Sequence, residues 1–69
     1  MSELPIAAID RLIRKAGAER VSEDAAEELS KILSEVAADI SRQAIELAKH
    51  AKRKTIIADD IKLATKTLQ

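Results

Sequence analysis

Between Ser22 and Ala51 the chain carries one unbroken helical pattern, and that pattern is too long for a small protein folding by itself. Leu29, Ile32, Leu33, Val36, Ile40, Ala44, Leu47 and Ala48 recur at the three- and four-residue steps of an amphipathic helix. Roughly 29 residues at about 1.5 Å rise give about 43 Å of helix. A lone folded chain of 69 residues has a radius of gyration of only about 11 Å. The apolar stripe is also wide, so it offers surface both to its own flanking segments and to a partner. Such a helix with a short helix on each side reads as half of an intertwined dimer.

The flanking segments fit that layout. Leu4 to Ala16 carries Ile6, Ile9, Leu12 and Ile13 at helical spacing. Pro5 suits its first turn, where a missing N–H costs nothing. Gly17, the only glycine, follows the last periodic residue, as a left-handed C-cap requires. Ser22 is placed to cap the long helix, with Glu23 and Asp24 at the positive end of its dipole. On the polar face, Glu27–Lys31 and Arg42–Glu46 stand four apart with opposite sign, each worth about 0.3 kcal/mol if paired. Ala58 to about Leu68 forms a third helical segment, with Asp59 and Asp60 in its first turn. Val21 and Thr55-Ile56-Ile57 are β-branched and suit short extended stretches. No internal repeat is visible. The expectation is an all-α fold of short helix, loop, long helix, loop, short helix, forming one domain over residues 1–69 without tails.

Composition narrows the means of stabilisation. A chain this short buries only about 60% of its unfolded surface, and small folds then need disulfides, metal or oligomerisation. There is no cysteine, and the single His50 cannot build a metal site alone. Oligomerisation remains. Aromatic residues are absent, so the core is aliphatic, built from Leu, Ile, Val and Ala. No apolar run reaches the length of a membrane span. Met1-Ser2-Glu3-Leu4-Pro5 lacks the basic region and apolar stretch of a secretory signal, so a cytoplasmic location fits.

The formal net charge is zero, yet its distribution is uneven. Basic residues gather at Arg11, Arg14, Lys15 and Arg20 and again at Lys49, Lys52, Arg53 and Lys54, while acids dominate from Glu23 to Glu46. A surface polarised in this way can bind a polyanion on one side and stay soluble on the other. The two basic loops, Ala18-Glu19-Arg20-Val21-Ser22 and Lys52-Arg53-Lys54-Thr55-Ile56, flank the long helix and cannot meet within one chain. They meet if a second copy packs head to tail. The pair then grips an extended polyanion, and double-stranded DNA is the obvious candidate. No nucleophile–base–orienter set and no phosphate-binding glycine loop is present, so an enzyme, a cofactor and a small-molecule substrate are not expected.

Several stretches, in order and at fixed spacing, resemble the archaeal-type histones. They are Glu3-Leu4-Pro5-Ile6, Arg11-Leu12-Ile13, Ala16-Gly17-Ala18-Glu19-Arg20-Val21-Ser22, Ala48-Lys49-His50-Ala51, Arg53-Lys54-Thr55-Ile56 and Asp59-Asp60-Ile61, spread over nearly the whole chain. The resemblance implies a histone fold and a handshake dimer with itself or a paralogue. It also implies DNA wrapped without sequence-specific readout, and dimers joined into nucleosome-like or superhelical complexes on the chromosome. It further implies that Arg20 enters the minor groove, that Lys54 and Thr55 of the partner lie beside it, and that Arg11 and Arg14 contact phosphates. Arg53 would pair with Asp60 and fix the second loop to the third helix. Leu47, His50, Asp60 and Leu63 would form a dimer–dimer contact, and Gly17 would lie where turns of a protein–DNA superhelix approach.

One departure from the resemblance stands out. Position 52 is often Gly in that family and is Lys52 here. If the residue is left-handed, Lys costs about 1 kcal/mol there. The main rival expectation is a histone-fold subunit of a transcription complex, which would keep the aliphatic core without needing the loop cations.

Overall fold

The computed structural model describes residues 4–67, with helices α1 (Ile6–Lys15), α2 (Glu23–His50) and α3 (Ala58–Lys66). Expectations that touch residues 1–3 and Leu68 lie outside the described residues. No strand is present among the described residues. The β-branched loop residues, expected to be extended, form no ladder, because a strand needs a second one to bond with. No described helix is long and apolar enough to cross a membrane.

The residues that start and stop each helix explain the boundaries. Pro5 is extended at the N-cap (φ −63°, ψ 124°) instead of inside the first turn, and its carbonyl accepts the Ile9 N–H at 3.2 Å. Ser22 caps α2 by accepting the Ala25 N–H on Oγ at 3.0 Å. Ile57 precedes α3 and has no side-chain oxygen, so only the return half of a capping box forms: the Asp60 carboxylate accepts the Ile57 N–H at 2.9 Å.

Both α1 and α2 end in the same motif. After α1, Gly17 N–H reaches the Arg14 carbonyl at 3.0 Å and Ala18 N–H reaches that of Ile13 at 3.4 Å. After α2, Lys52 N–H reaches Lys49 and Arg53 N–H reaches Ala48, both at 2.9 Å. These are the paired bonds of a Schellman end, which needs a residue at positive φ. Gly17 supplies φ +122° in the first, and Lys52 adopts +59° in the second. The motif recurs 35 residues later, a structural repeat that the sequence conceals because Gly17 and Lys52 share no chemistry.

The chain divides into two compact units, residues 1–35 and 36–69, and the division falls inside α2. In the first unit Ile9, Ala26 and Ser30 are buried, and Ser30 Oγ donates to the Leu4 carbonyl at 3.3 Å, tying the segment before α1 to α2. In the second, Ala44, Ala48, Asp60 and Ala64 are buried. The buried residues shared by α2 and α3 are thus mostly alanines, small side chains of the kind that permit a short interaxial distance where helices pack. The Thr67 hydroxyl also bonds to Gln43, linking the end of α3 to α2.

Much apolar surface is left uncovered. Among the described residues Ile9 is the only large aliphatic side chain that is buried, whereas Leu12, Ile32, Val36, Ile45, Ile56, Ile57, Ile61 and Leu63 are 39–56% exposed. Fully burying such a side chain is worth about 1.5–3 kcal/mol. Covering the exposed half of each would add on the order of 8 kcal/mol per chain, comparable to the whole stability of a small domain.

The polar face of α2 differs from expectation. Arg42 bonds to Asp39, three residues before it, and Lys49 to Glu46 at 3.9 Å; Arg42–Glu46 and Glu27–Lys31 do not form within salt-bridge distance. An acid N-terminal to its base is the favoured orientation on a helix. Arg42 and Lys49 both choose it, which accounts for the loss of Arg42–Glu46. Nothing in the structure explains the absence of Glu27–Lys31.

Candidate nucleic-acid interface

The first loop, between α1 and α2, is held at both ends by the Gly17 motif and the Ser22 cap. Arg14 braces it further: Nε binds the Asp10 carboxylate at 2.6 Å and a terminal nitrogen donates to the Glu19 carbonyl at 3.2 Å. Sequence spacing does not reveal this, because Glu19 contributes its backbone and not its side chain. Arg14 remains about half exposed (51%), so it can brace the loop and still present charge. Arg11, Lys15 and Arg20 are exposed, and their side chains have no hydrogen bond or ion pair among the described residues. Arg20 therefore stands as an uncompensated cation on a loop whose backbone is fixed.

The second loop, between α2 and α3, is organised by Arg53. Its guanidinium makes two bonds of 2.8 Å to Asp60 and a third, at 3.0 Å, to the Thr55 carbonyl. Asp60 is 5% exposed and is the only buried charged residue among the described ones. The Arg53 bonds first, then the Ile57 amide, lower its pKa to about 2 from the ordinary 3.8, against the opposing effect of burial. Lys52, Lys54 and Thr55 are exposed, with no side-chain partner among the described residues. Arg53 is consumed internally, so the free positive charge of this loop comes from Lys52 and Lys54.

The remaining expected sites fall in two places. Leu47, His50 and Leu63 line one open groove together with Arg42, Gln43, Glu46 and Thr67. Asp60 is not in that lining. Its Oδ2 takes two donors and its Oδ1 takes one, which leaves a single lone pair on Oδ1 for any outside donor. Gly17 is exposed at the end of α1, and a Cβ placed on it would meet nothing within 4 Å. Within the chain, only its positive φ calls for glycine.

No orphaned buried polar atom points to a missing ligand among the described residues, and no group of His, Asp and Glu there could hold a metal ion. What the two loops offer is chemistry for phosphate: exposed Arg and Lys, a hydroxyl, and backbone held in place around them.

Comparison with known proteins agrees with this chemistry. A family model described as histone-like transcription factor (CBF/NF-Y) and archaeal histone matches residues 2–65. The chain is 62% identical over 66 residues to one of the subunits of archaeal histone HAN1 from Thermococcus zilligii, spanning 96% of this chain and 98% of that protein. It is 50% identical over 64 residues to probable archaeal histone 3 of Methanocaldococcus jannaschii, spanning 93% and 96% respectively.

Proposed function

The chain belongs to the family of histone-like transcription factors (CBF/NF-Y) and archaeal histones, and from that premise we propose that it wraps and compacts double-stranded DNA without reading its sequence. Membership itself carries a DNA-binding, architectural role and not an enzymatic one. The proposal adds the mechanism. Two chains, identical or paralogous, pack head to tail, so that the first loop of each lies beside the second loop of the other. Dimers then associate through Leu47, His50, Asp60 and Leu63 into larger complexes on the chromosome.

The observation that carries this reading is the pairing of two features in one chain. Eight large aliphatic side chains stay exposed, which calls for a protein partner. Exposed, unpaired Arg20 and Lys54 sit on both loops, which calls for a polyanion. A protein that only bound other proteins would need the first and not the second. Arg20 supplies a cation to the minor groove, whose negative potential attracts Arg without base readout. Lys54, Thr55 and Arg11 contact phosphate, and Arg14 adds charge while bracing the first loop. Gly17 leaves an exposed backbone where neighbouring turns of a superhelix would come close.

Binding to DNA duplexes of unrelated sequence over a salt series tests the proposal. If a dimer neutralises about ten phosphates, log affinity falls with log salt at a slope of about −9. Arg20→Ser should weaken binding to every sequence alike. Weak, salt-insensitive binding that ignores the substitution would instead favour a protein-interaction role in a transcription complex.

A further inference from the structure

We propose that Lys52 is an additional phosphate contact, held at a left-handed backbone position at the end of α2; this rests on the DNA-binding reading above. The two Schellman ends allow an internal comparison. They share the same pair of hydrogen bonds, and glycine would serve at both. At Gly17 the backbone lies at φ +122°, a region L side chains rarely adopt, so glycine is required there. At Lys52 the value is +59°, inside the left-handed region that an L residue can occupy at a cost. The chain accepts that strain at one end only, and the residue that bears it is a lysine.

Three observations indicate what the lysine gains. Its side chain is exposed and has no partner among the described residues. The adjacent cation, Arg53, is spent on Asp60, so Lys52 doubles the free charge of its loop from one lysine to two. The ordinary structural role of a cation at a helix C-terminus is to favour the dipole, and Lys49 in the last turn of α2 already fills it. A second cation at a strained position is not needed for that purpose. A phosphate beside the second loop would use it.

Three variants separate charge from strain. Lys52→Gly removes both, Lys52→Gln removes charge and keeps strain, and Lys52→Arg keeps both. Each dimer carries two copies, and each lost phosphate contact lowers the salt slope by about 0.9. The Gly and Gln variants should therefore bind duplex DNA with slopes shallower by about 1.8, while the Arg variant keeps the wild-type slope. Only Lys52→Gly should raise the melting temperature, by about 4 °C. If the wild type binds with a steep slope and the Gly and Gln variants match it, Lys52 contacts no phosphate and this inference falls alone. If the wild type itself binds weakly with a shallow slope, the DNA-binding reading falls and takes Lys52 with it.

Discussion

Asp60 accepts from three donors at once, two guanidinium nitrogens of Arg53 and the Ile57 amide. One carboxylate thus closes the second loop and starts α3. The sign of its pH dependence follows from its lowered pKa of about 2 against the ordinary 3.8. The charged form is favoured in the folded chain, so its stabilising effect is present above about pH 4 and is lost as pH falls through 2. Melting temperatures of wild type and Asp60→Asn should therefore differ most at pH 5–7, and the gap should close between about pH 4 and pH 2. A gap that ignores pH would mean the carboxylate's charge contributes nothing. The pairing of Arg53 with Asp60 was legible only through family resemblance: a loop separates the two residues, so no helix or strand period runs between them to bring them to one face. The bracing role of Arg14 was not legible at all, since a backbone carbonyl has no residue-type signature.

At the scale of the element, the 3.6-residue period located all three helices, because burying one face of a helix dominates local propensity. The ends were harder to place where one residue fits two positions. Pro5 suits both the first turn and the N-cap, and the structure uses the cap. Lysine itself carries no signal for a left-handed residue; the family resemblance, in which position 52 is often Gly, raised the possibility, and the backbone shows it at φ +59°. The α2 stripe makes a sharper prediction. Val36 is 43% exposed in the single chain, and a solvated surface substitution there would change stability by less than about 0.5 kcal/mol. In an intertwined dimer the same side chain is enclosed, and an unpaired carboxylate would cost several kcal/mol. Val36→Glu should therefore abolish the dimer and most of the helical signal in circular dichroism at micromolar concentration. A folded, dimeric Val36→Glu would place this stripe outside the interface.

For the whole molecule, charge and apolar surface have to be satisfied by different partners. In the proposed assembly DNA would take the loop cations, and a second chain would take the aliphatic stripe. A further association of dimers would use the groove lined by Leu47, His50 and Leu63. Leu47→Lys should leave dimers intact and still bound to DNA, while shortening the longest fragments protected from nuclease. Unchanged long fragments would assign the groove no role in assembly. Composition and length foretold that the chain needs a partner, since 69 residues without cysteine have few other means of stabilisation. They could not foretell how the partner is oriented, because an apolar stripe has no direction. Cross-linking between chains reads that orientation. The chain has no cysteine of its own, so Glu19→Cys and Lys54→Cys can be placed on separately tagged chains, mixed, refolded and treated with a short bis-maleimide. A head-to-tail handshake predicts efficient 19–54 links between chains, with 19–19 and 54–54 links rare. Predominant 19–19 or 54–54 links, or no link between chains, would contradict it.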